Sequence, residues 1–190
     1  MKCLPDNEFR EDGEGNFMNK WVVFFSIIIS LMAGCSSQII AFKDNDTDAE
    51  ILRTRMNRLS GGISFVTLNA QRFEKGDDIS YTLFVVYAGP SFLNIESGRS
   101  LVVFIDGQRH EFTGKGSSDH RNVVSLGLVE EKAYYHDIDP DVIRQLAYAK
   151  KVEIVVKGSS DSMKRHFNGS HIATFREFYD YSVERVAVSN

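Results

Sequence analysis

Apolar positions along the chain fall into three regimes. Residues 21–34, "WVVFFSIIISLMAG", form an uncharged run with no polar face. From residue 63 to the middle of the chain, β-branched and aromatic residues alternate with polar ones, which is the two-residue period of a half-buried strand. That period predicts strands over 63–69 ("ISFVTLN"), 79–88 ("ISYTLFVVYA"), 122–129 ("NVVSLGLV") and 132–136 ("KAYYH"). Between them, "SLVVFIDGQRHEFTG" predicts a hairpin of 101–105 with 109–113, because Asp106-Gly107 supplies the positive φ angles of a two-residue turn.

Helical spacing appears in three places. In 49–58, "AEILRTRMNR", Ile51, Leu52, Met56 and Leu59 approximate one face and Ser60-Gly61-Gly62 stops the run. Asp139-Pro140-Asp141 begins a second helix: Asp139 is a capping residue, Pro140 fits the first helical position, and Asp141 faces the positive end of the dipole. Its buried stripe is Val142, Ile143, Leu146, Ala147 and Ala149. A third helix runs from Ser170 as cap to about Ser182, with Ile172, Phe175, Phe178 and Tyr179 inward. "VEIVVKG" (152–158), nearly continuous in apolar residues, reads as a central strand. About seven strands and two or three helices, not in alternating βαβ order, predict an α+β fold: an antiparallel sheet or β-sandwich with packed helices.

The first run is a different kind of object. At less than the roughly 20 residues needed to span a bilayer it fits the apolar core of a signal peptide, and Met18-Asn19-Lys20 gives that core a start and a positive flank. Residues 1–17 then read as a misannotated leader and 18–34 as the signal peptide. Met32-Ala33-Gly34-Cys35 behind it resembles the lipobox of bacterial lipoproteins. The resemblance implies a diacylglyceryl group on the Cys35 thiol, cleavage after Gly34 and acylation of the new amino terminus; it also implies a bacterial cell-envelope location. Ser36 after the cysteine looks like sorting to the outer membrane, facing the periplasm. Residues 35–48 then read as the lipidated cysteine and a polar tether, and 49–190 as one soluble domain.

Composition narrows the remaining chemistry. The chain has 22 Lys and Arg against 26 Asp and Glu, a net charge of −4, and shows no basic footprint for nucleic acid. Its two cysteines are Cys3 and Cys35, so nothing after Cys35 can supply a thiol nucleophile or a cysteine-ligated metal. No histidine pair has the i, i+4 spacing of a metalloprotease helix and no Gly-x-Ser-x-Gly elbow occurs; no pattern calls for a cofactor or a metal. "KGSSD" occurs at 115–119 and again at 157–161. It reads either as a pair of anion-holding loops of serines and backbone amides or as two ordinary turns.

Two expectations follow. The first is a non-enzymatic binding or accessory module, anchored to the membrane through lipid on Cys35 and contacting an envelope protein. On it, Tyr134-Tyr135 is the candidate contact, because strand neighbours point to opposite faces and one of the two must face outward. The alternative is an anchored hydrolase or metal-dependent enzyme built from Asp119, His120, His136 and Asp137, or a carrier of a small molecule or lipid in an apolar cavity.

Overall fold

A computed structural model describes residues 38–55, 57–61, 63–123 and 127–188, with the side chains of 60, 119, 121–123 and 183–188 outside that description. The residues read as leader, signal peptide and lipobox, 1–35, lie outside the described residues. These residues belong to a compact unit assigned to Ser37–Asn190. In chain order its elements are β1 (Ile39–Lys43), β2 (Glu50–Thr54), β3 (Arg58–Gly61), β4 (Ser64–Lys75), β5 (Asp78–Gly89), β6 (Ser97–Ile105), β7 (Gln108–Lys115), β8 (Asp119–Val123), β9 (Leu128–Tyr135), α1 (Pro140–Tyr148), β10 (Val152–Lys157), β11 (Ser162–His166) and α2 (Gly169–Val188).

The strands make two antiparallel sheets. A seven-stranded sheet runs β1-β2-β4-β5-β9-β8, with β3 pairing β4 beyond the end of β2. A four-stranded sheet runs β11-β10-β6-β7. Alternation sets which side chains meet between them. Val66, Leu68 and Ala70 of β4, Leu83, Val85 and Tyr87 of β5, and Ala133 and Tyr135 of β9 share one face of the large sheet. They join Leu101, Val103 and Ile105 of β6 and Val152, Ile154 and Val156 of β10 in one core cluster, closed by Val142, Ile143 and Leu146 of α1 and by Phe175 and Phe178 of α2. The molecule is therefore an α+β sandwich whose core lies between the sheets and under the helices.

Several expectations hold. Asp106 and Gly107 take φ of 49° and 89° and join β6 to β7 with Ile105 opposite Gln108. Asp139 caps α1 by accepting a hydrogen bond from the Asp141 amide at 2.8 Å. Strand β10 is flanked on both sides, by β6 and β11.

Others are corrected. Residues 49–58 are not a helix: Glu50–Arg53 of β2 pairs with Gln71–Glu74 of β4, and Arg58–Gly61 pairs with 64–67. Pairing along β4 outweighs the weak local helical preference, because Ile51 and Leu52 are both buried, one on each face of a strand. The reading of 35–48 as a tether fails over Ile39–Lys43, which forms the edge strand β1 against β2. The single strand expected over 122–129 falls on two, β8 and β9, which pair with each other. The cap of α2 is Asn168, whose Oδ1 accepts from the amides of Ser170 at 3.0 Å and His171 at 3.2 Å, and the helix runs on to Val188.

Candidate functional site

Three distant parts of the chain meet at residues 93–96, the segment leading from β5 to β6. Glu131 points inward from β9 between Val129 and Ala133 and is fully buried. Its carboxylate accepts the backbone N–H groups of three successive residues: Leu93, Asn94 at 3.0 Å and Ile95 at 3.1 Å. The Ser117 hydroxyl donates to the same group at 2.6 Å. A buried carboxylate is tolerable only when several donors replace its lost water, and this one has four.

Both "KGSSD" segments close on this segment from different sides. In the first, the Ser117 amide donates to the Ile95 carbonyl at 3.1 Å and the Ser117 hydroxyl accepts from the Ile95 amide at 3.0 Å. In the second, the Ser159 amide donates to the Asn94 carbonyl at 3.0 Å, and Glu96 donates to the Lys157 carbonyl at 3.1 Å. Each glycine is what lets its loop approach. Gly116 has φ +82°, and a Cβ there would stand 2.8 Å from the Ile95 carbonyl; a Cβ on Gly158 would strike the Leu93 carbonyl. The anion next to the first loop is thus the protein's own Glu131, and the second loop holds backbone. The Tyr87 hydroxyl donates to the Ser91 carbonyl at 3.1 Å, and burial together with the Glu131 charge raises its pKa above the ordinary phenol value.

The two tyrosines separate as alternation requires. Tyr135 is buried, its hydroxyl 3.0 Å from Ser100 Oγ and its ring against Gly114. Burial raises its pKa, opposed by the Ser100 hydrogen bond. That side chain is core and is withdrawn as a contact. Tyr134 faces the opposite side, half-buried, stacked on Phe84 with ring centres 5.7 Å apart and on His136 at 6.2 Å. Arg53 reaches across β4 to lie 5.9 Å from the Phe84 ring and 5.3 Å from the Phe42 ring, so a ladder of side chains crosses this outer face from β1 to β9.

The four residues of the enzyme reading do not converge. His120 sits opposite Glu131 on the β8–β9 pair, and His136 lies just past the end of β9, five residues beyond Glu131, about 16 Å away and on the other face. His136 Nδ1 instead meets Thr82 Oγ1 at 3.1 Å. Asp137, with φ 56°, belongs to the turn into α1. Asp119 is described in its backbone alone, where it pairs with Lys132.

Ser117, Glu131 and His120 do lie together, with His120 Nε2 3.9 Å from the carboxylate. Their order is wrong for nucleophilic catalysis. A triad puts histidine between serine and acid, whereas here the acid is in the middle and the serine proton points at it. Among the described residues no three of His, Cys, Asp and Glu are grouped to hold a metal ion.

Among the described residues, two buried charges stand out that the sequence pattern does not single out. Glu131 follows the inward phase of Val129, Ala133 and Tyr135, and Arg72 follows that of Val66, Leu68 and Ala70. In each case a charge stands where the period asks for an apolar residue. Arg72 is 1 % exposed; it donates from Nη1 to Glu74 at 2.5 Å, while Nε and Nη2 have no hydrogen-bond partner. Compared with family models, with curated proteins and with solved structures, the chain matches none.

Proposed function

We propose that this chain is a lipid-anchored protein of the bacterial cell envelope whose sandwich domain is a non-enzymatic binding or accessory module for another envelope protein. The observation that carries the reading is the order of the chain: an apolar run, then Leu31-Met32-Ala33-Gly34-Cys35, then a folded domain whose first strand begins at Ile39. Lipid chains bury about 0.8 kcal/mol per methylene, and more than one chain makes the attachment stable. The reading is supported further by the use of Glu131 and Ser117 in holding backbone. It is also supported by the ladder at Tyr134, where the half-buried tyrosine lies beside exposed His136 and over buried Phe84. Such aromatic groups suit the centre of a protein contact.

Cys35→Ala in the full chain tests the anchor. The wild type is expected in the membrane fraction with an intact mass that includes acyl chains on a new amino terminus at Cys35; the variant is expected to keep its signal peptide or to leave the membrane. An unmodified Cys35 in the mature wild type would end the reading. A photo-crosslinking residue at Tyr134 is expected to trap one envelope protein reproducibly in cells, and failure to trap any removes Tyr134 as the contact.

A further inference from the structure

The structure shortens the leash. Gln38 is already fixed, its carbonyl accepting the Arg55 amide at 2.6 Å. Gln38 is the third residue after Cys35, and three residue steps reach at most about 10 Å. A domain held that close to its lipid lies on the bilayer.

The flank nearest the attachment carries the chemistry of a headgroup contact. Arg53, Arg55 and Arg58 have no carboxylate partner among the described residues, as Arg165 and Arg176 have none, whereas Arg72, Arg99, Arg109 and Arg144 each meet one. Arg53 and Arg58 both point to the outer face of the large sheet, opposite Gln71 and Thr67 of β4. Exposed apolar residues bracket them along the strand direction. Phe42, 42 % exposed, lies at the level of Ile51 and Phe73, and Ile63, 77 % exposed, precedes Ser64. The acidic turn of Asp44, Asp46 and Asp48 begins two residues beyond Phe42, at the end of β1 away from Ile39, and Asp48 is paired with Lys43 at 2.7 Å.

Resting on the lipid anchor proposed above, we infer that the β1–β3 flank of the outer face docks on anionic phospholipid headgroups through Phe42, Arg53, Arg58 and Ile63. Charge complementarity with unpaired arginines and the short reach from Cys35 select a bilayer over other occupants. Successive strands turn by about 20–25°, so from β2 across β4 and β5 to β9 the face rotates by roughly 60–75° and Tyr134 tilts away from the membrane plane.

The test uses the full lipoprotein, with its mass verified, in vesicles of phosphatidylethanolamine and phosphatidylglycerol carrying brominated acyl chains. The one tryptophan, Trp21, precedes the cleavage point, so a tryptophan introduced into the domain reports alone. Phe42→Trp and Ile63→Trp are expected to shift to the blue and lose most of their emission to bromine. Phe104→Trp, on the outer face of the opposite sheet, is expected to keep its emission. Each of Arg53→Gln and Arg58→Gln is expected to lower the ratio of docked to undocked domain about fivefold, the effect of one basic residue at an anionic surface.

With acyl chains present on Cys35, unquenched reporters at both 42 and 63 overturn the inference and leave the anchor intact. Reporters shielded from water but untouched by bromine overturn it in favour of a protein on this face, and equal quenching at 104 overturns the choice of face. A mature protein without acyl chains overturns the anchor itself, and the inference with it.

Discussion

Glu131 and Arg72 stand in the same inward phase of one sheet, two strands apart: both are charged, both are shielded from water, and neither belongs to an apolar core by composition. They differ in how their charge is met. The Glu131 carboxylate has four donors from two loops and faces no other described carboxylate within the clamp. The Arg72 guanidinium has one bond to Glu74 and two silent nitrogens. The lesson is that burial alone does not make a charge structural. A buried ion fastens a fold when it satisfies groups that have no other partner, and burdens it when its own groups go unmet.

The sharpest way to break this comparison is Glu131→Ala. It strands the Leu93 and Asn94 N–H groups and the Ser117 hydroxyl, while the Ile95 N–H keeps its bond to Ser117 Oγ; at about 1 kcal/mol or more each, a loss of about 3 kcal/mol in a denaturant titration is expected. That is a large part of the 5–15 kcal/mol available to a typical domain. A loss near zero would mean that water or another group replaces the carboxylate, and the clamp would lose its meaning.

Arg72→Leu should do far less. It removes a poorly compensated charge and leaves Glu74, which is partly exposed, to water, so stability should change by no more than about 1 kcal/mol in either direction. A loss as large as that of Glu131→Ala would place Arg72 among the fasteners and erase the distinction.

The smallest effect belongs to a third charge, on the surface of the other sheet. Lys164 hydrogen-bonds Glu153 at 2.6 Å and, with its own charge and that of His166, holds the Glu153 carboxyl below the ordinary glutamate range. A lowered folded value means that the stabilisation is present above the unfolded glutamate value and disappears as pH falls through the folded one. The stability gap between wild type and Glu153→Gln should therefore be widest near neutrality and close on acidification. A gap that does not change with pH would show that the pair contributes nothing, as many exposed pairs do.

What the sequence made legible follows the same division between local and distant causes. Asp106-Gly107 and Asp139-Pro140 act within a few residues of themselves, and both turned out as their local chemistry requires. The segment 49–58 did not, because its conformation is imposed by β4, whose partner edge it fills in two pieces. Asn69 bridges the gap between those pieces, its Oδ1 accepting from the Asn57 amide at 3.2 Å and Thr54 Oγ1 at 3.3 Å. No pattern within 49–58 announces an asparagine twelve residues on. Of the candidate site, the split of Tyr134 from Tyr135 was readable from alternation. Glu131 was not, since its partners at 93–95 and 117 enter only through the fold. The repeated "KGSSD" was visible as a pair, but what joins the two copies is a segment that resembles neither.

The meeting of loops at 93–96 also has a kinetic meaning. Its carboxylate lies 38 residues from Leu93, so those bonds wait for β9 to find β5, and the bonds of the second loop, further still along the chain, wait for β10 to find β6. Closures of that length are reached after the local hairpins, when most of the search is over. The clamp is then a latch set late rather than a nucleus. Damage to it should appear mainly as faster unfolding, with the folding arm of a chevron plot for Glu131→Ala nearly unmoved. The residence time of the native state, more than the speed of reaching it, is what Glu131 governs.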